Sequence, residues 1–307
     1  MPILEVDDLS VSFMQYTRGF KQTRLQVLQG VQLSVGRGEI VAVIGSSGSG
    51  KSLLAHAVLG ILPSNASMSG TIRYDGDVLT GQRQEQLRGR EIALVPQSVN
   101  FLDPLMKVGA QVRSSARTGD PLAELRKSFE RFRLPPDAEN RYPHQLSGGM
   151  ARRVLVSTAT ISGASLLIAD EPTPGLDPAV VQETLSTLRE LADQGAAVLL
   201  ISHDLESALR VADRVAVLYA GTTVEIAAAE DFADSGQRLR HPYAKALWRA
   251  LPQNEFLPIP GSQPQPGELP DGCLFAPRCA LTTAECCRER PPMRVLREGK
   301  TRCFHAT

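Results

Sequence analysis

The octapeptide Gly45-Ser46-Ser47-Gly48-Ser49-Gly50-Lys51-Ser52 stands directly after the apolar run Ile40-Val41-Ala42-Val43-Ile44 and directly before the apolar stretch 53–62. Strand, glycine loop and helix in that order are the context in which the pattern G-x-x-x-x-G-K-[ST] wraps phosphate. Glycines at 45, 48 and 50 let the backbone curl until successive N–H groups converge on phosphate oxygens, and the following helix presents the positive end of its dipole to them. Lys51 then reaches the β and γ phosphates and Ser52 a Mg²⁺ ion. An accidental Gly/Ser turn has no need of a strand before it and a helix after it. The loop therefore points to an α/β core that binds a nucleoside triphosphate.

A chain of 307 residues, 42% hydrophobic, is long enough for one large α/β core and a smaller appendage. Lys+Arg and Asp+Glu balance at 33 each, so net charge draws the chain to neither nucleic acid nor an anionic membrane surface. The N-terminus carries no basic, apolar leader, and no apolar run approaches the roughly 18 residues of a membrane span. The expectation is a cytoplasmic protein that meets a membrane only through partners.

A second constellation follows about a hundred residues on. Leu146-Ser147-Gly148-Gly149-Met150 opens a helical stretch over 151–161, and Leu166-Leu167-Ile168-Ala169-Asp170-Glu171 is an apolar strand ending in two carboxylates. At the carboxyl end of a buried parallel strand, Asp170 is placed to hold Mg²⁺ or its water, and Glu171 to polarise an attacking water. Paired acids after a strand also occur as plain solvated loop starts, so this pair gains its meaning from the loop upstream.

Together, residues 45–52, Gln97, Leu146 to Met150, Asp170-Glu171, Leu176-Asp177 and His203 resemble the ATP-binding subunit of an ABC transporter in order and approximate spacing. The resemblance implies a P-loop NTPase, RecA-like core with an antiparallel β subdomain, an inserted α-helical subdomain and a C-terminal cysteine-containing extension. It also implies two ATPase subunits, identical or homologous, closing head to tail around two nucleotides. Ser147, Gly148 and Gly149 of one subunit then cap the γ-phosphate held by the other, a use that a glycine pair at a helix N-terminus suits by permitting close backbone approach.

Other positions follow from the resemblance. Gln97, after Ile92-Ala93-Leu94-Val95-Pro96, takes the place of the glutamine that touches Mg²⁺ and the water, and His203, after Val198-Leu199-Leu200-Ile201-Ser202, that of the histidine that contacts the γ-phosphate. Phe13 is the candidate for stacking on adenine, with Tyr16 the alternative. The expected catalytic set is Glu171, His203, Gln97 and Lys51, with Ser52, Gln97 and Asp170 on Mg²⁺. Two departures stand out: Met150 replaces the family's usual glutamine, and Pro174-Gly175-Leu176-Asp177 replaces its commoner small-residue sequence. Neither touches Lys51, Glu171 or His203, so an active ATPase is expected.

Between Gln97 and Ser147, Leu122, Leu125, Phe129 and Phe132 recur at steps of three and four, which predicts an amphipathic helix ending before Pro135-Pro136. Residues 100–112 read as an apolar loop. Phe101, Leu102 and Met106 are expected to line the groove that, in the family, receives a short helix of a membrane subunit.

The tail narrows the resemblance. His241-Pro242-Tyr243-Ala244-Lys245-Ala246-Leu247 and Gly272-Cys273-Leu274-Phe275-Ala276-Pro277-Arg278-Cys279 look like the C-terminal extension of ATPases from the peptide and nickel import group. Six prolines between 252 and 270 predict a strap that forms neither helix nor central strand. All five cysteines lie in this tail. A disulfide framework is the weaker reading in a reducing compartment. Cys273, Cys279, Cys286 and Cys303 match the family's positions for a structural [4Fe-4S] cluster or Zn²⁺, with the wide spacing tilting towards iron and sulfur, Cys287 an extra neighbour, and buried unliganded thiols the remaining alternative.

The expected organisation is 1–96 as the first part of the ATPase core, 97–160 as the helical subdomain, 161–235 as the second part of the core and 236–307 as the extension. The expected partners are two transmembrane permease subunits, a second ATPase subunit and, indirectly, an extracytoplasmic substrate-binding protein, with the chain peripheral on the cytoplasmic face of the membrane. Gly60-Ile61-Leu62-Pro63 and Leu146 to Met150 resemble the nickel and metallophore branch, which implies that cargo, with oligopeptide or dipeptide uptake as the alternative. A soluble ABC ATPase acting on nucleic acid or the ribosome is the reading from another class, disfavoured because the chain has neither a second nucleotide domain nor an inserted coiled coil.

Overall fold

The computed structural model describes residues 1–16, 22–117 and 119–307, which divide into two compact units. One unit comprises residue 1 with 35–40 and 80–202. The other comprises 2–34, 41–79 and 203–307.

In the first unit the apolar runs at 92–95, 166–170 and 197–202 form neighbouring parallel strands, Ile92–Val95, Leu166–Asp170 and Ala197–Ser202. Strands buried on both faces read as unbroken hydrophobic runs, and every residue of the latter two is buried. Helices pack with them, among them Gly148–Thr160 and Pro178–Asp193. Asp177 caps the latter by accepting from the Val180 N–H at 3.1 Å, and Pro178 supplies a preset φ at the first helical position. The predicted amphipathic helix is Pro121–Arg131, with Leu125 and Phe129 buried and Phe132 at its C-cap, also buried. Residues 100–112 are more ordered than a loop: a short 3₁₀ turn at Val99–Phe101 precedes the helix Val108–Ser115.

In the second unit, strands Gln22–Val35, Leu4–Tyr16, Ala66–Tyr74 and Asp77–Val78 lie side by side. Leu4–Tyr16 runs antiparallel to Ala66–Tyr74 through a register break at Asp7/Ser10, where Asp8 takes a left-handed φ of 52°. This is the antiparallel subdomain the resemblance implied. Ile40–Ile44 runs parallel to Arg214–Tyr219, and the pairing continues antiparallel through Thr222–Ala228, Gly299–Thr301 and Arg294–Leu296. The C-terminal extension thus adds a hairpin to a sheet of the ATPase core. Cys273 to Cys303 alone carries too little apolar surface for a core of its own, and sheet pairing supplies what the segment lacks.

Aromatic and ionic contacts fix the rest of the extension. Tyr219 packs its ring 4.6 Å from that of Tyr243 and edge-on to Phe275 at 5.2 Å. Arg278 lies over Tyr219 at 5.8 Å and donates to the carbonyls of Pro260 at 2.7 Å and Ile259 at 3.0 Å. That ties down the proline strap, which contains neither helix nor strand from 251 to 275, as its composition predicts.

Candidate nucleotide-binding site

The loop 45–52 is built as its glycines require. A Cβ on Gly45 would stand 2.4 Å from the Leu218 carbonyl oxygen, and Gly50 has φ of 90° with Leu28 Cδ2 2.3 Å from any added Cβ. The helix Lys51–Leu59 follows with Gly50 as its N-cap, no side-chain cap and no acidic residue in its first turn, so its dipole end and N–H groups are presented without an internal anion. It ends at Leu59, three residues short of the apolar stretch's end, with Gly60 in left-handed conformation as its cap. Lys51 is buried, its ammonium donating to the carbonyls of Gly45 at 2.8 Å and Ser46 at 3.1 Å. Ser52 is half-buried one residue on.

The extension reaches this loop. Ser46 Oγ donates to Gln263 Oε1 at 2.5 Å. Tyr243 belongs to the same stretch of the extension; burial raises its phenol's pKa, and the neighbouring Ser46 opposes the shift. Gln263 is not legible as a loop contact from sequence, because it lies about 200 residues away and belongs to no local motif.

In the other unit, Asp170 ends its strand almost fully buried and Glu171 follows with 5% exposure and a left-handed φ of 49°. A non-glycine residue in that region is strained, and here two backbone bonds hold it: the Glu171 N–H donates to Ile201 O at 2.9 Å, and its carbonyl accepts from Arg152 Nη1 at 2.6 Å. Arg152 Nη2 also donates to the Gln97 carbonyl at 2.6 Å, so one guanidinium on the Gly148–Thr160 helix fixes the backbone of both residues. Burial lowers the Arg152 pKa, and Glu171 and Asp170 oppose the shift. Sequence reasoning passed over Arg152; its only signal is a charge one turn into a helix whose other flank is apolar. Gln97 and His203 are both exposed.

Ser147 caps the Gly148–Thr160 helix by accepting from the Met150 N–H at 3.3 Å. Ser147 and Gly148 are exposed, and nothing lies within 4 Å of a Cβ added to Gly148. An added Cβ on Gly149 would lie 3.7 Å from the Gly175 carbonyl, so the divergent loop 174–177 packs against this helix start. In the β subdomain Phe13 is half-buried opposite Ala66, while Tyr16 is 71% exposed and accepts from Gln22 Nε2 at 3.0 Å. Ser52, Gln97 and Asp170 all offer oxygen donors, the ligand chemistry Mg²⁺ takes.

The expected docking trio is corrected at one position. Leu102 is only 4% exposed, turned into its own unit, whereas Phe101 and Met106 are exposed and Leu105 more so at 87%. The exposed apolar set is therefore Phe101, Leu105 and Met106.

In the extension, Cys273, Cys279, Cys286 and Cys303 line one small cavity of about 10 Å³, and all are free thiols. Cys287 is exposed and apart from the cavity wall. Burial, chiefly, raises the thiol pKa of Cys273 and Cys303. Among the described residues, no group of three or more His, Cys, Asp or Glu is arranged to hold a metal ion. The four sulfurs offer the donor chemistry of a soft metal, but they do not stand together as a ligand set for one.

Residues 28–174 match the ABC transporter family, and residues 224–286 match the oligopeptide/dipeptide transporter C-terminal region. A putative peptide import ATP-binding protein of Brucella abortus is 36% identical over 98% of this chain and 94% of its own length. The dipeptide transport ATP-binding protein DppD of Haemophilus influenzae is 34% identical over 99% of this chain and 95% of its own length. Among solved structures, an ATP-binding subunit of an ABC transporter aligns with a TM-score of 0.61 at 29% identity, covering 75% of this chain and 91% of that one. Relatives of nearly the same length thus match the chain over almost all of it, and the chain belongs to the ATP-binding proteins of ABC transporters, in the oligopeptide and dipeptide import branch.

Proposed function

We propose that this chain binds and hydrolyses ATP to drive peptide import through two transmembrane permease subunits. The observation that carries the proposal is the joining, on one chain, of a complete phosphate loop to an extension that bonds it through Gln263. Gly45, Ser46, Ser47, Gly48, Ser49 and Gly50 cradle the phosphates, Lys51 exchanges its loop carbonyls for the β and γ phosphates, and Phe13 stacks on adenine. Ser52, Gln97 and Asp170 hold Mg²⁺, which neutralises charge on the phosphates. Glu171 polarises the attacking water and His203 contacts the γ-phosphate.

Ser147, Gly148 and Gly149 act in trans on a second ATPase subunit in a head-to-tail pair, supported by the exposure of Ser147 and Gly148 at a helix N-terminus. No helix among the described residues is long and apolar enough to cross a membrane, so attachment to its cytoplasmic face runs through the permeases, with an extracytoplasmic binding protein delivering cargo. A nickel or metallophore cargo remains the finer alternative to peptide.

Reconstitution of the chain with its co-purifying membrane subunits in proteoliposomes, followed by labelled dipeptide and ⁶³Ni²⁺ uptake, tests the reading. ATP-dependent dipeptide uptake is expected, and Phe101→Asp is expected to cut uptake by roughly tenfold or more at unchanged ATP turnover, as loss of a buried interface anchor does. Purification with nucleic acid and without any membrane partner overturns it.

The same preparation tests the cysteines. Cys273, Cys279, Cys286 and Cys303 are proposed to hold an iron–sulfur cluster or Zn²⁺ as a structural staple. Anaerobic elemental analysis is expected to find iron with sulfide, or zinc, in proportion to protein. Metal content unchanged in Cys286→Ala sinks the assignment.

A further inference from the structure

A second cavity, of about 240 Å³, lies within the unit that carries the extension, between the antiparallel subdomain and the tail. Its wall includes two arginines, Arg290 and Arg302, and the amide of Gln29. Gln29 is 6% exposed, its Oε1 accepts from Arg290 Nη1, and its Nε2 is buried without a hydrogen-bond partner. An amide donor left unpaired in a protein wall is costly, so a native cavity that keeps one is shaped for an acceptor.

Arg302 is held in place by the backbone. Arg302 donates from Nε to the Thr223 carbonyl at 3.2 Å and from Nη2 to the Gly30 carbonyl at 3.0 Å, which fixes the plane of its guanidinium. Burial works against its charge and the Arg290 charge adds to that cost, while Asp8, also in the wall, offsets part of it. Two cations and one carboxylate leave the wall positive by one. Leu274 and Phe275 line another part of the cavity and leave an apolar side for a short carbon stem.

We propose that this cavity binds a small oxyanion, a carboxylate or phosphate group borne by a small molecule, through Arg290, Arg302 and Gln29 Nε2, separately from the nucleotide. Like-charged guanidiniums and an orphaned amide donor share one remedy, an anion with several acceptor oxygens. Cys273 borders both this cavity and the one that holds the four thiols, so an occupant here sits against the extension's cysteine region.

Calorimetric titration of the full-length chain, with saturating MgADP to occupy the phosphate loop, uses inorganic phosphate in one arm and acetate in the other. Saturable one-site binding of at least one probe is expected, weakened roughly tenfold or more by Arg290→Met and by Gln29→Met, as loss of a charge-assisted bond entails. Arg290 is exposed, so its variant should keep the wild-type melting temperature and MgADP affinity. Phosphate binding with no acetate binding, or the reverse, identifies the group. No saturable heat, binding that MgADP abolishes, or binding indifferent to both substitutions overturns the proposal.

Discussion

Glu171→Gln is expected to slow ATP hydrolysis by about 10²- to 10⁴-fold, the usual worth of a positioned general base, while ATP binding stays intact. The side chain is 5% exposed, and its backbone is held on both sides by Ile201 and Arg152. An amide of the same shape preserves those bonds and removes only the ability to take a proton. Steady-state turnover and nucleotide affinity, measured on the same preparation, separate the two effects. Normal turnover removes Glu171 from the role of base. Arg152→Met should act differently: it leaves the carboxylate in place and frees the backbone of Glu171 and Gln97, so turnover falls while MgATP affinity is kept.

The second large effect concerns the anchor of the extension. Arg240→Met is expected to cost about 3–5 kcal/mol of stability, because it leaves a buried carboxylate without its cation. Glu225 is fully buried and accepts from the Arg240 and His241 N–H groups at 2.8 and 2.7 Å, and Arg240 Nη1 lies 3.3 Å from Glu225 and 2.8 Å from Asp231. Arg240 also donates to the carbonyls of Leu296 and Arg297, so it hooks the C-terminal hairpin to the strand Thr222–Ala228.

Burial raises the Glu225 pKa above the ordinary carboxylate value, with the two amides and the guanidinium pulling the other way. A carboxylate raised on folding favours the folded state at low pH, and that contribution is lost as pH rises through the folded value. Without Arg240 the value rises further. The deficit of Arg240→Met in thermal melts should therefore narrow as pH falls from neutrality towards the carboxylate range. Proteolysis should cut the variant first in the tail beyond 250. A variant that melts like the parent at pH 7 rejects the anchor.

Features that depend on short stretches of chain were legible. Glycine conformation, caps and apolar runs placed the strands at 40–44, 92–95 and 166–170, the phosphate loop, and the helix starting at Gly148 within a few residues. Leu102 was misplaced because an apolar residue in a loop looks the same in sequence whether it faces solvent or its own core. Only packing distinguishes it from Phe101 and Leu105.

The sequence alone determined the nucleotide chemistry, since phosphate binding needs glycines, a lysine and a hydroxyl at fixed spacing within eight residues, and that spacing survives in the linear chain. It also determined that the tail would be a strap with a cysteine group. Tertiary structure alone decided that the tail pairs its last strands with the core sheet, that Gln263 bonds Ser46, that Arg152 clamps Gln97 and Glu171, and that Arg290, Arg302 and Gln29 share a cavity. Those contacts join residues from about a dozen to more than 200 positions apart. No local conformational preference encodes them; they arise when burial of the apolar runs brings the polar groups between them within hydrogen-bonding distance.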